Sequence, residues 1–98
     1  MAAKIKGLNN QAGVVSCYIF YCPACQCVHP FEVPRWDFNG DLERPTFTPS
    51  LRVGAREGAN ITKCHLFLKD GRIEYCSDCP HAMAGQTIEC PDWHDSLW

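Results

Sequence analysis

The sequence predicts a mainly β fold, on three observations. Branched and aromatic residues gather in short runs, above all Val14 to Tyr21 and Ile61 to Tyr75, and no segment of about ten residues carries a helical apolar stripe. Prolines at 23, 30, 34, 45 and 49 and the turn pairs Asn39-Gly40 and Asp70-Gly71 keep the strands brief and the loops long and irregular. Eight cysteines and four histidines stand in 98 residues, a density that suits a small core completed by a metal or by disulfides. The expected architecture is a small zinc-organised β domain built from zinc-ribbon-like hairpins.

Residues 1–13 are small, polar and basic, and read as a tail or a short edge strand beginning at Ile5; residues 14–98 read as one zinc-binding β domain. Val14 to Tyr21 is a strand that delivers the chain to Cys22, and Cys27 to Pro34 is a second, shorter one. The stretch Trp36 to Asp41 holds the Asn-Gly turn, and Arg44 to Ser50 is extended chain broken by prolines. Ser50 to Val53 forms a strand before a Gly54 to Asn60 loop. A turn or two of helix fits only around His81 to Gly85.

The sharpest expectation is a hairpin over Ile61 to Ser77 with Asp70-Gly71 as its two-residue turn. That loop pairs Lys69 with Arg72, Leu68 with Ile73, Phe67 with Glu74, Leu66 with Tyr75, His65 with Cys76 and Cys64 with Ser77. Leu66, Leu68, Ile73 and Tyr75 then line an apolar face that also carries Cys64, and Cys79 continues its parity. The opposite face holds His65, Cys76 and Asp78 among Lys63, Lys69, Arg72 and Glu74, a mixed-sign surface suited to protein contacts.

A structural Zn2+ site needs four thiolate or imidazole ligands, and a CxxC turn brings two thiolates to one ion. Cys22-Pro-Ala-Cys25 is such a knuckle. Spacing offers Cys76 and Cys79 as the second pair; strand parity offers Cys64 and Cys79, and is favoured because Cys76 in an extended strand points away from Cys79. A second, catalytic metal could draw on His29, His65, Asp78 and His81, joined by Cys27 or Cys76, although no HExxH pair fixes two histidines on one helix. Cys17 reads as a buried strand residue, Cys90 as half-buried, Cys27 as spare or a substitute ligand, and His94 as exposed.

Other chemistry is thinner. No phosphate-cradling glycine loop or nucleophile elbow is present, and the CxxC lacks the βαβ context of a redox domain. A formal charge of −2 gives no global attraction for nucleic acid, so that partner is disfavoured. A single-stranded nucleic-acid module would need Trp36, Phe38 and Phe47 exposed and Arg35, Arg44, Arg52 and Arg56 to converge, whereas packing in the core is the simpler use of Phe38 and Phe47. Trp93 and Trp98 read as anchors of the C-terminal segment. With neither a signal-peptide pattern nor a run of about 20 apolar residues, the expectation is a cytoplasmic protein with no membrane partner.

The ordered motifs CPxCxCxH at 22–29, FNGD at 38–41, PTFTPS at 45–50, CHxF at 64–67, DGRI at 70–73, DCxHAxAGQT at 78–87 and CPDW at 90–93 resemble a family of small uncharacterised proteins encoded by bacteriophages and prophages, over roughly residues 20–93. Its members are sometimes labelled ammonia monooxygenase, a label that fits no chain without a spanning segment. The resemblance implies a viral zinc-binding protein in the bacterial host cell, with positions matching Cys22, Cys25, Cys64, His65, Cys79 and His81 kept and Cys76 often replaced by an apolar residue. The function it suggests is non-enzymatic: binding a host protein as inhibitor or adaptor, with a homodimer as a further option for covering the sheet face. The alternative is a metal-dependent hydrolase with an open metal site near His65, Asp78 and His81.

Overall fold

The computed structural model describes residues 2–54 and 62–97. Nine strands form three antiparallel sheets among these residues, and a 3-10 turn at Asp95–Leu97 is their one helical element. The first sheet orders β1 (Lys6–Asn9), β2 (Val15–Cys22) and β3 (Cys27–Glu32); the second pairs β4 (Asp37–Phe38) with β5 (Phe47–Thr48). The third runs β6 (Leu51–Gly54), β7 (Thr62–Lys69), β8 (Arg72–Tyr75) and β9 (Thr87–Glu89) in that order. The mainly β expectation therefore holds. Among the described residues no closed zinc-ribbon barrel forms: the Cys22 knuckle joins β2 to β3 in one sheet, while Cys76 to Cys79 follow β8 in another.

The hairpin register is the one that a two-residue turn requires: Lys69 opposes Arg72, Leu68 Ile73, Phe67 Glu74 and Leu66 Tyr75. Asp70 and Gly71 both lie in the left-handed region, at φ 50° and 75°, whose twist matches the flanking strands. Gly71 is needed for a second reason. A Cβ there would come within 3.2 Å of the Glu43 carbonyl oxygen, because the 39–46 loop docks on the hairpin tip. Gly71 N–H donates to the Pro45 carbonyl (3.0 Å) and Asp70 N–H to Thr46 Oγ1 (2.8 Å). Within that loop Asn39 Oδ1 accepts from Asp41 and Thr46 N–H, and Asp41 Oδ1 from Glu43 and Arg44 N–H. These bonds hold the Asp41 carboxyl below the usual carboxylate range. The FNGD and PT motifs thus build a turn.

Alternation sorts β7 and β8 cleanly. Cys64, Leu66, Leu68, Ile73 and Tyr75 are all buried, and the intervening side chains face outward. The first two sheets contribute aromatic rings to the same core: Phe31 stacks on Phe47 at 4.2 Å between centroids, Phe47 on Phe38 at 4.6 Å, and Tyr18 tilts against Phe38 at 4.5 Å. These rings pack on one another, so they are unavailable as a base-stacking platform. The N-terminal residues join the fold as an edge strand rather than a tail. Ile5 is buried, Lys4 Nζ donates to the Cys90 carbonyl (2.9 Å), and Trp93 N–H donates to the Ala3 carbonyl (2.8 Å).

Several local expectations shift. Strands β4, β5 and β9 carry no sequence signal beyond one or two β-formers each. His81 to Gly85 makes hydrogen-bonded turns instead of helix, as Ala84 N–H reaches the His81 carbonyl and Gly85 N–H that of Tyr75. Cys90 is completely buried and Cys17 only half-buried, the reverse of their assigned depths. Cys27 and His94 are exposed. Most of the 54–60 loop, the hairpin start at Ile61, Arg56 and Trp98 lie outside the described residues.

Candidate functional site

Cys64 and His65 are neighbours on β7, and the strand's two-residue period sends them to opposite faces. Cys64 faces inward, where Cys22 from the end of β2, Cys25 from the following turn and His29 from β3 meet it. One donor atom from each of these four lies within 4.8 Å of every other. A tetrahedral Zn2+ with bonds of about 2.3 Å to sulfur separates its ligands by about 3.8 Å, so the spread suits one ion after slight contraction. His29 is 3 % exposed, its Nε2 is buried without a well-formed hydrogen bond, and its side chain lies near enough to Cys22 to help hold that thiol low. Such a nitrogen is costly unless something occupies its lone pair.

The electrostatics of this cluster favour a cation. A hydrogen bond from the Cys64 thiol lowers Cys22 to about 3, against the opposing effect of burial. The same bond, with burial, drives Cys64 up, and burial pushes Cys25 up to about 11. One thiolate is therefore stable there and further negative charge is resisted until a positive ion balances it. Two neighbours donate to the sulfurs. Tyr75 Oη lies 3.2 Å from Cys22 Sγ. His81 Nδ1 accepts from Met83 N–H (3.2 Å), which leaves its proton on Nε2, 3.4 Å from Cys64 Sγ. Cys64, Cys79 and His81 also form a three-donor group.

The structure distributes the sequence-nominated residues as follows. Cys22, Cys25 and Cys64 converge, and the fourth donor within reach is His29. Cys79 instead brackets the His65 peptide, its Sγ donating to the His65 carbonyl (2.9 Å) and accepting from its N–H (3.2 Å). Cys76 lies on the outer face: its N–H donates to the His65 carbonyl (2.9 Å), extending the ladder, and its thiol joins His65 and Asp78. Of the set His29, His65, Asp78 and His81, only His65 and Asp78 meet.

They meet in a hydrogen-bonded chain with a third residue. Ser50 immediately precedes β6, and the pairing of Arg52 with His65 and Leu51 with Leu66 brings it beside the imidazole. Ser50 Oγ is 3.0 Å from His65 Nε2; His65 Nδ1 is 3.0 and 3.2 Å from the two Asp78 carboxylate oxygens. An ionised carboxylate only accepts, so Nδ1 carries the proton and Nε2 presents its lone pair to the Ser50 hydroxyl. The turn carrying Asp78 is closed by Cys79 N–H to the Cys76 carbonyl (3.1 Å), and the Trp36 indole N–H holds the Ser50 carbonyl (3.3 Å). Ser50 was missed by the sequence reading. It ends the PTFTPS motif, where the sequence suggests proline-punctuated extended chain and the start of a strand, and no nucleophile-elbow pattern surrounds it.

The chain lies open to solvent, with the His65 and Asp78 side chains 25 % and 62 % exposed. Neither of two sizeable concavities contains it. One of about 590 Å³ is lined by charged residues including Lys4, Glu43, Asp70 and Arg72, and one of about 400 Å³ lies against Cys25, Cys27, His29 and His81.

A family model described as "Bacterial ubiquitination-like system serine protease (BubE)" matches residues 3–76, and the chain belongs to this family. The match covers Ser50 and His65 and stops just short of Asp78. No curated protein and no solved structure matches the chain. The family overturns four expectations. The resemblance to uncharacterised phage proteins gives way to a named bacterial family, and the viral assignment goes with it. The reading as a non-enzymatic adaptor fails, because the family name denotes a protease and hence an enzyme. The alternative of a metal-dependent hydrolase, with an open metal site near His65, Asp78 and His81, fares better in being an enzyme, although the family name denotes a serine protease and His81 lies apart from the other two. No helix among the described residues is long and apolar enough to cross a membrane.

Proposed function

We propose that this BubE family member is a serine hydrolase of peptide or related acyl bonds, in which Ser50 is the nucleophile, His65 the general base and Asp78 the group that orients it. The carrying observation is the Ser50 Oγ to His65 Nε2 to Asp78 relay, with both links at 3.0 Å. As Ser50 Oγ attacks the acyl carbon, its proton passes to Nε2, and Asp78 stabilises the imidazolium through Nδ1–H. His65 then returns that proton to the leaving group, leaving an acyl group on Ser50. Water attacks this ester by the same relay run a second time, freeing the acid and restoring the serine.

The open setting of the relay favours a substrate that brings its own surface, a protein segment over a small molecule, which needs an enclosing pocket. This agrees with the family's description as part of a ubiquitination-like system, where acyl bonds of a small modifier protein would be cut. The inner cluster is read as a structural zinc site formed by Cys22, Cys25, His29 and Cys64, with His81 and Tyr75 donating hydrogen bonds to the sulfurs. When bound, that ion would tie β2 and β3 to β7 and so fix the strand that carries His65.

Hydrolysis of p-nitrophenyl acetate tests the nucleophile. A burst of about one p-nitrophenolate per protein chain, followed by slower turnover, is expected for the wild type and absent from Ser50→Ala. A burst that survives in Ser50→Ala would refute the assignment.

A further inference from the structure

The remaining donor group sits on the relay itself. One ligand atom from each of His65, Cys76 and Asp78 lies within 4.8 Å of the others. The backbone bonds of Cys76 to His65 and of Cys79 to Cys76 hold the three side chains on one short ladder and turn. Yet the setting is the reverse of the inner one. Cys76 is half-buried and Asp78 exposed, so an ion can enter from solvent and leave again. Nothing in the hydrolytic relay uses a thiol, and Cys76 is no part of the inner group.

The geometry points to an exchangeable inhibitory site for a thiophilic divalent cation, Zn2+, formed by His65, Cys76 and Asp78. It rests on the reading of Ser50, His65 and Asp78 as the hydrolytic machinery. A soft thiolate and a borderline imidazole nitrogen beside one carboxylate oxygen suit Zn2+ over Mg2+ or Ca2+, and three protein ligands leave a fourth position for water.

Inhibition follows from the tautomer. The His65 nitrogen facing Asp78 is Nδ1, so the ion takes the Nδ1 lone pair and the carboxylate that had accepted its proton. A neutral imidazole metallated at Nδ1 keeps its one proton on Nε2. Nε2–H then donates to Ser50 Oγ and cannot receive the serine proton, and general-base catalysis stops although the substrate surface is unobstructed. The balance is simple: Zn2+ enters, the Cys76 thiol proton leaves to solvent, the Nδ1 proton moves to Nε2 through solvent, and nothing is oxidised or reduced. Buried donors would hold one ion permanently, and more exposed donors grouped around His65, the next residue after Cys64, would sense another.

Protein carrying one equivalent of zinc is titrated with ZnCl2, with bound ions counted by native mass spectrometry and Ser50 reactivity followed with a fluorophosphonate. The wild type is expected to take up a second ion while its modification rate falls at least about tenfold, recovering on addition of a weak chelator. In Cys76→Ser and Cys76→Ala, each compared with its own rate before zinc addition, the zinc midpoint is expected to rise at least about tenfold. A second ion bound equally by wild type and both variants overturns the inference, as does zinc that leaves the rate unchanged or raises it. If Ser50 takes no label even before zinc is added, the proposed function fails, and the difference in ion count between wild type and the Cys76 variants still decides whether the site exists.

Discussion

Two donor-rich regions meet at Cys64 and His65, and the strand between them separates their tasks. On the inner face four Cys and His donors gather, one buried imidazole nitrogen lacks a well-formed hydrogen bond, and negative charge beyond a single thiolate is resisted until a cation balances it. On the outer face Ser50, His65 and Asp78 form a satisfied chain of hydrogen bonds in water's reach. The lesson is that β alternation lets a domain of this size use one strand for both stability and chemistry. The pattern recurs at Asp78 and Cys79, where one residue orients His65 through its ring and the next grips it through its peptide.

The sharpest way to break this comparison is to disable one face and ask whether the other notices. Ser50→Ala is expected to lower ester hydrolysis at least about 10³-fold while zinc content and melting temperature stay at wild-type values. Cys64→Ala, or stripping the metal with a strong chelator, should do the opposite: it should cost about 5 kcal/mol or more of folding free energy, read as loss of the cooperative thermal transition, with activity lost as a consequence. If Cys64→Ala folds and melts normally, the inner face is not the structural one.

Smaller changes refine the division. Asp78→Asn keeps shape but offers His65 the wrong partner for Nδ1–H, so kcat should fall about 10²-fold, with metal content unaltered. Removing the single indole hydrogen bond to the Ser50 carbonyl with Trp36→Phe should lower kcat/KM by about 3- to 10-fold with little effect on melting. Cys90 supplies a pH test of the core. Burial pushes its thiol up to about 12, whereas the unfolded chain's cysteines ionise near about 8.5. Since the folded state disfavours the thiolate, this contribution to stability is complete below about pH 8.5 and is lost as pH rises toward 12. Denaturant titrations should show that alkaline decline in wild type and a shallower one in Cys90→Ala.

Much of the fold was legible because burial leaves a mark on residue order. Two-residue alternation in Leu66, Leu68, Ile73 and Tyr75, combined with Asp70-Gly71, set the hairpin register and placed Cys64 inside. Cysteine spacing located the Cys22 knuckle. His29 was harder: it lies next to Pro30 on β3, a residue that weakens the strand signal, and only the pairing of β3 with β2 turns it toward Cys64. The outer face was half legible. The same register puts His65, Cys76 and Asp78 on it together, where those residue types suggest metal ligands, and their neighbour Ser50 is 15 residues away along the chain, brought to His65 by the β6–β7 pairing. A lone serine after a proline has no periodicity, no special charge and no burial pattern to announce it. The short β4, β5 and β9 were equally silent, since tertiary docking on the hairpin, more than their own composition, makes them strands.

The most direct test of the central claim is to map where a fluorophosphonate reacts. After brief exposure, intact mass and peptide sequencing by mass spectrometry should find one adduct, on Ser50, in the wild type, and little in His65→Ala, which keeps the serine but removes its base. An adduct on another serine, none at all in folded wild-type protein, or full labelling of Ser50 in His65→Ala would contradict the account.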